Sequence, residues 1–360
     1  MIGFTYEALP GRVVFGSGAL ANVADEVEHL GATRALLLAE QRDVERVRAV
    51  LGARCVAVFT DIQQHVPVAA ATAAVDTARA AGADCLVTIG GGSATGFAKA
   101  VAVQLDVPIV AIPTTYAGSE VTPIYGITAE GHKQTRRDLR ALPRTVIYDP
   151  ELTVSLPPQV TGPSGMNALA HCVEAFYAPG ANPLTSLLAE EGVRVLARGL
   201  PIAVNHPEDL DGRSDTLLGA YLAGTALAVA GVAIHHQACH VLGGTFGLPH
   251  GELNAVVLPH AVRFVTEAVP DDMARVARAL GTDDAATGLF DLARALGAPA
   301  SLAELGMPES DLPKAVEEVA AHVSQHPRPS DVASIQAILG DAYRGRRPDR
   351  AATSSAGRPR

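Results

Sequence analysis

Up to Pro150, short apolar runs alternate with longer stretches in which apolar positions recur every three or four residues. The runs Arg12–Phe15, Ala35–Ala39, Cys55–Phe59, Cys85–Ile89, Pro108–Ile112 and Thr145–Tyr148 are predicted strands. They are apolar throughout rather than alternating, which is the signature of a parallel sheet covered on both faces. The stretches Ala19–Leu30, Val44–Leu51, Val68–Ala81 and Ala94–Gln104 supply the covering helices. Beyond Asp149-Pro150 the strand signal ends and helical spacing continues to Tyr343, with starts predicted at Ser164, at Pro270-Asp271-Asp272 and at Pro308-Glu309-Ser310-Asp311. The pattern therefore predicts an α/β domain over 1–158 of nucleotide-binding type and an all-α domain over 159–343. The cluster Pro157, Pro158, Gly162 and Pro163 marks the boundary. Residues 344–360 are Arg, Gly, Pro, Ser and Ala with few apolar side chains, and are expected to be a disordered basic tail.

Composition narrows the function classes. Lys and Arg number 28 against 38 Asp and Glu, a formal charge of -10, so nucleic acid is not an expected partner. Leu217–Ile234 is uncharged for 18 residues, but Gly219, Gly224 and Gly231 dilute it and it runs into His235 and His236, so a buried helix is expected rather than a membrane span. The four cysteines, Cys55, Cys85, Cys172 and Cys239, show no C-x-x-C spacing. With no signal-peptide pattern at the start of the sequence, they fit a reducing cytoplasm.

Two loops carry binding chemistry. Leu86–Ile89 leads into Gly90-Gly91-Gly92-Ser93 and then a helix. Missing Cβ atoms admit a diphosphate, and the N–H groups at the positive helix end stabilise its charge. The next strand ends in Pro113-Thr-Thr-Tyr-Ala-Gly-Ser-Glu-Val-Thr122, whose Thr114, Thr115, Ser119 and Thr122 offer hydroxyls at the ligand-binding end of a parallel sheet. Glu40, closing the Leu36–Ala39 strand, is placed to accept from a ribose diol and to repel an added phosphate. The bound group expected is NADH or NADPH.

A histidine constellation follows. Asn167 and His171 are four apart on one predicted helix, His236 and His240 four apart on another, and His250 lies in the turn Leu248-Pro-His-Gly251. Such a set supplies enough imidazoles for a divalent metal, yet the position one turn before His171 is the neutral Asn167.

These motifs resemble the iron-containing alcohol dehydrogenase family over residues 3–343: Gly90-Gly-Gly-Ser93, Pro113-Thr-Thr-x-x-Gly-Ser-Glu120, Asp149-Pro-x-Leu152, Gly165-Met-x-Ala-x-x-His171, His236-x-x-x-His240 and Pro249-His-Gly251. The resemblance implies a Rossmann-like nucleotide-binding domain followed by an all-α domain, and metal-ligand positions that fall here on 167, 171, 236 and 250. The family's aspartates are replaced by Asn167 and, three residues after Ser93, by Gly96. Both departures, with Gly91-Gly-Ser-Ala-Thr-Gly-Phe-Ala-Lys99 and Leu142-Pro-Arg-Thr-Val-Ile-Tyr-Asp-Pro150, are similar to the maleylacetate reductase branch. That branch implies NADH- or NADPH-dependent reduction of 2-maleylacetate to 3-oxoadipate in aromatic-compound breakdown, a cytoplasmic homodimer and no required metal. The expected roles are carbonyl polarisation and protonation by His171, His236, His240 and His250 beside Asn167, with His240 the first choice of donor. Lys133, Arg137 and Arg140 are expected to meet the dicarboxylate. Two alternatives stand beside it: a metal-dependent alcohol or aldehyde dehydrogenase, and a non-catalytic nucleotide-binding relative.

Overall fold

The computed structural model describes residues 4–9, 11–129, 132–323 and 326–349, without the side chains of His132 and Lys133. The chain forms two compact units that divide after Val232.

In the first unit the elements run β1 (Arg12–Phe15), α1 (Val23–His29), β2 (Ala35–Ala39), α2 (Gln41–Leu51), β3 (Cys55–Phe59), α3 (Val68–Ala81), β4 (Cys85–Gly90), α4 (Gly92–Leu105) and β5 (Ile109–Pro113). A hairpin, β6 (Ile124–Ala129) and β7 (His132–Arg137), precedes β8 (Thr145–Tyr148). Three long helices complete the unit: α5 (Pro158–Glu174), α6 (Pro183–Asn205) and α7 (Leu210–Ala230). The main sheet is parallel throughout, in the order β1-β8-β5-β4-β2-β3. Every residue of β2, β4 and β5 is buried, as their unbroken apolar runs require. Leu37, Val87, Ile89, Val110 and Ile147 form part of one core beneath α1 and α2, with Val27, Val44 and Val47 against them. Burying each such side chain stabilises the fold by about 1.5–3 kcal/mol.

The sheet order fixes where a ligand can sit. From β2 the chain passes outward to β3, then returns to β4 on the other flank and continues to β5, so the order reverses between β2 and β4. The crevice beyond the carboxyl ends of these two strands is the switch point at which open α/β sheets bind ligands. Ala39 pairs with Ile89 and Gly90 with Pro113, which sets Glu40, Gly90 and Thr114 in a row along that edge.

The six predicted strands are all present, each within one residue of its expected limits. The charged run from His132 forms the second strand of the hairpin. Its antiparallel register pairs Ile124 with Arg137 and Tyr125 with Arg136. Helix α5 begins six residues before the expected start at Ser164, taking in Pro163. No single helix among the described residues is long and apolar enough to cross a membrane. The uncharged stretch from Leu217 is interrupted at Gly231, where φ of 77° ends α7, and Leu217, Ala220, Ala223 and Ala226 are fully buried.

The second unit is helical: α8 (Ile234–Phe246), α9 (His250–Val265), α10 (Pro270–Leu280), α11 (Ala285–Ala295), α12 (Leu312–His322) and α13 (Val332–Arg344). Its helix starts at Pro270 and after Asp311 agree with the capping pattern. The expected tail does not begin at 344. Arg344 closes α13, and the Arg347 guanidinium pairs with Asp291 at 2.7 Å. Residues 350–360 of that expected tail lie outside the described residues.

Candidate functional site

In the first unit, the glycine turn is shaped by backbone geometry. Gly90 holds φ at 141°, and a Cβ there would stand 2.9 Å from the Ala94 Cβ, so only glycine turns β4 into α4 at this angle. The Gly90 carbonyl accepts from the Thr114 N–H at 3.0 Å, which carries the strand pairing into the second loop. Gly91 caps α4, leaving the N–H groups of the first helical turn available to an anion. Ser93, Thr114, Thr115 and Ser119 are half-buried and Glu40 is exposed at the start of α2. Arg42 pairs with Glu40 at 3.2 Å. This combination of a Cβ-free turn, a helix N-terminus, hydroxyls and a strand-end carboxylate fits a dinucleotide.

Thr122 differs from the other hydroxyls. It is buried, donates to the Ser119 carbonyl at 3.1 Å and accepts from Lys99 at 3.1 Å, so its one proton is spent within the loop. Lys99 is the residue that sequence reasoning passed over. It is the only charge between Gly91 and Leu105, and that isolation was its signal. Burial pushes its ammonium down to about 7, against the pull of Glu120. Glu120 is also buried and is pushed up, while the Tyr148 hydroxyl donates to it at 2.7 Å. Gly96, where the family carries Asp, is closed off by Val66: a Cβ at 96 would lie 2.8 Å from the Val66 Cγ2.

Asn167 and His171 share a face of α5, both buried. The Asn167 Oδ1 is buried and has no hydrogen-bond partner among the described residues. Arg137 donates to the Ala228 carbonyl at 2.9 Å, and Arg140 is paired with Asp138 at 2.7 Å, which raises the guanidinium and holds the carboxyl down. Among the residues expected to meet a dicarboxylate, these two cations are thus engaged, and the side chain of Lys133 lies outside the described part.

In the second unit, the helical spacing brings three imidazoles together as expected. The ring centroids of His236 and His240 are 6.2 Å apart, and those of His240 and His250 are 6.0 Å apart and stacked at 14°. His236 is buried, whereas His240 and His250 are exposed. Burial drives His236 well below the ordinary histidine value, and the neighbouring imidazoles of His235, His240 and His250 add to it. His235, which the spacing argument left out, lies beneath them. Its Nε2 is 3.2 Å from the Asn254 carbonyl, which can only accept, so that nitrogen carries a hydrogen. Its Nδ1 lies 3.3 Å from the Nδ1 of His236.

A parallel sheet with a glycine turn at its switch point, and a separate helical unit bearing clustered imidazoles, define a nucleotide-dependent oxidoreductase architecture. The signature of the iron-containing alcohol dehydrogenases matches residues 10–150, and that of the Fe-containing alcohol dehydrogenase family, C-terminal, matches 161–343. The chain belongs to this family. It is 49% identical over 351 residues to a maleylacetate reductase of Burkholderia cepacia, covering 97% of this chain and all of that one. The crystal structure of maleylacetate reductase from Rhizobium sp. strain MTP-10005 superposes with a TM-score of 0.94 at 46% identity, covering 97% of this chain and 100% of the other. A sulfoacetaldehyde reductase from Bifidobacterium kashiwanohense in complex with NAD+ gives 0.88 at 25% identity, covering 94% and 98%.

Proposed function

We propose that the chain reduces the carbon–carbon double bond of 2-maleylacetate to give 3-oxoadipate at the expense of NADH or NADPH. The similarity to maleylacetate reductases along nearly the whole length carries the substrate. The dinucleotide supplies hydride when bound; Gly90, Gly91, Gly92 and Ser93 hold its diphosphate, Thr114, Thr115 and Ser119 donate to it, and Glu40 accepts from its ribose. Hydride goes to the alkene carbon β to the ketone, the electron pair moves onto the ketone oxygen as an enolate, and a proton closes the other alkene carbon. One NADH and one proton are consumed for each 3-oxoadipate formed.

Hydrogen-bond donors stabilise such an enolate without a metal. We take His240 as the proton donor; like His250 it is exposed, and so can be reprotonated after each turnover. His236, neutral and buried, polarises or accepts rather than supplying the proton. Asn167 and His171 in the first unit and His250 in the second are the remaining proposed polar groups. The family's four ligand positions hold three imidazoles and the neutral Asn167 here, so a metal at these positions would lack the anionic ligand that an aspartate supplies. Lys133, Arg137 and Arg140 are the proposed contacts of the two carboxylates, with Arg140 exchanging Asp138 for substrate. We place the enzyme in the cytoplasm as a homodimer; Val13 and Phe15 leave an exposed apolar edge on β1, one of the two edge strands of the sheet, which suits a second copy.

One observation favours the metal-dependent alternative: the partnerless Asn167 Oδ1 offers a buried lone pair. Measuring NADH oxidation by maleylacetate with and without EDTA separates the two. The expected outcome is turnover unaffected by chelator, with kcat reduced by about 10²–10⁴ in His240→Ala. Full activity in that variant overturns the assignment of the donor, and activity lost to EDTA and restored by a divalent metal establishes the alternative.

A further inference from the structure

We propose that Lys99 is a positioning residue for the dinucleotide, acting through Ser119, whose hydroxyl it turns into an obligatory donor toward the bound cofactor. The inference rests on the dinucleotide reading of the glycine turn.

The geometry is that of a cation enclosed by a loop. The Lys99 ammonium donates to the carbonyls of Ser119, Thr122 and Ile124 at 2.6, 2.8 and 2.7 Å. Three N–H bonds meet three carbonyls, which otherwise would converge and repel. The same ammonium lies within 3.2 Å of the Ser119 hydroxyl and 3.1 Å of the Thr122 hydroxyl. Three carbonyls can only accept, which holds the group as an ammonium without a lone pair; its N–H bonds are shared with the two hydroxyl oxygens in the longer contacts, and both hydroxyl protons turn away from it. The consequences differ for the two. Thr122 sends its proton to the Ser119 carbonyl, and is a brace. Ser119 is half-buried, on the same loop as Thr114 and Thr115, and having accepted from Lys99 it directs its own proton away from the ammonium, where an acceptor on a ligand receives it.

The rest of the loop is fixed independently. The Thr114 N–H is tied to Gly90, the Tyr116 N–H donates to the Ser164 hydroxyl at 3.1 Å, and the buried Arg213 donates to the Tyr116 hydroxyl at 2.9 Å. Only the 119–124 end depends on Lys99. A buried cation is a costly way to hold a turn, because well-packed apolar groups often stabilise as much or more. What an apolar side chain in its place could not do is fix the direction of the Ser119 proton.

The test is a double-mutant cycle read as the Kd of NADH by direct fluorescence titration, with the KM for maleylacetate measured alongside. Lys99→Met and Ser119→Ala should each weaken NADH roughly tenfold, as the loss of one donor to a charged acceptor does, and the double variant should be no weaker than Lys99→Met alone within about twofold. The KM for maleylacetate should stay within about twofold in all three. Multiplying effects in the double variant, or a Lys99→Met Kd equal to that of the wild type, overturn the proposal. If Lys99→Met does not fold, amide exchange of the unmodified enzyme decides: NADH should slow exchange across 119–124, and unchanged exchange there overturns it. A wild type that binds neither NADH nor NADPH sinks the dinucleotide reading itself, an outcome distinct from the others.

Discussion

Gly96 lies in α4, where glycine costs about 1 kcal/mol relative to alanine on propensity alone. An unobstructed Gly96→Ala change would therefore stabilise the protein by about that amount. The structure reverses the sign. The new Cβ would stand 2.8 Å from the Val66 Cγ2, well inside the roughly 3.5–4.0 Å at which carbon atoms attract. Val66 cannot easily yield. Its φ is 52°, a strained value for a β-branched residue, and the segment is held in place by Thr128, whose N–H donates to the Val66 carbonyl at 3.0 Å and whose hydroxyl donates to the His65 carbonyl at 2.7 Å. Overpacking of this kind costs about 1–3 kcal/mol. With the helical gain of about 1 kcal/mol subtracted, Gly96→Ala should destabilise the first unit by about 1 kcal/mol. In a Val66→Ala background the obstruction is gone, and the same change should stabilise by about 1 kcal/mol. Urea unfolding followed by tyrosine fluorescence, in a chain without tryptophan, measures both. A stabilising Gly96→Ala in the wild type would refute the reasoning. The same contact obstructs any side chain at 96, the position of the family's aspartate.

Other expectations can be checked alongside. Glu40→Ala removes the carboxylate from the strand end and releases Arg42 from its pair, so the ratio of kcat/KM for NADPH to that for NADH should rise at least tenfold; an unchanged ratio would place the ribose elsewhere. His260 is buried against Phe290 and held down to about 4 from 6.5 by desolvation. The unfolded chain then binds the extra proton between these values, so the stability it contributes is intact above 6.5 and lost as pH falls toward 4. The loss should reach about 3 kcal/mol. In His260→Leu that part of the acid destabilisation should vanish, and an identical pH dependence in the variant would contradict the burial argument.

The main sheet was legible because β2, β4 and β5 are covered on both faces and so carry unbroken apolar runs. The hairpin was not. No residue of β6 is fully buried, and Gln134, Thr135, Arg136 and Arg137 of β7 carry polar side chains, so no hydrophobic period marks them. Pro163 hid the first turns of α5 because proline lacks the N–H that a helix interior uses. The His236, His240 and His250 grouping followed from four-residue spacing and a turn, both local features. His235 did not follow, since its place beneath His236 depends on the Asn254 carbonyl from a different helix. The Lys99 cage, likewise, joins α4 to a loop 20 to 25 residues away in sequence. Long-range pairings of this kind leave no periodic trace, and the solitary lysine in an uncharged helix was their only mark.

The fate of hydride and proton tests the central claim most directly. With NADH dideuterated at the nicotinamide carbon that gives up hydride, the account requires one deuterium in 3-oxoadipate on the carbon adjacent to the distal carboxylate, β to the ketone. In deuterated solvent with ordinary NADH, the label should instead enter the carbon next to the ketone on the side of the former alkene, read before exchange scrambles it. Deuterium from the cofactor on the carbinol carbon, with the alkene intact, would show carbonyl reduction and contradict the account.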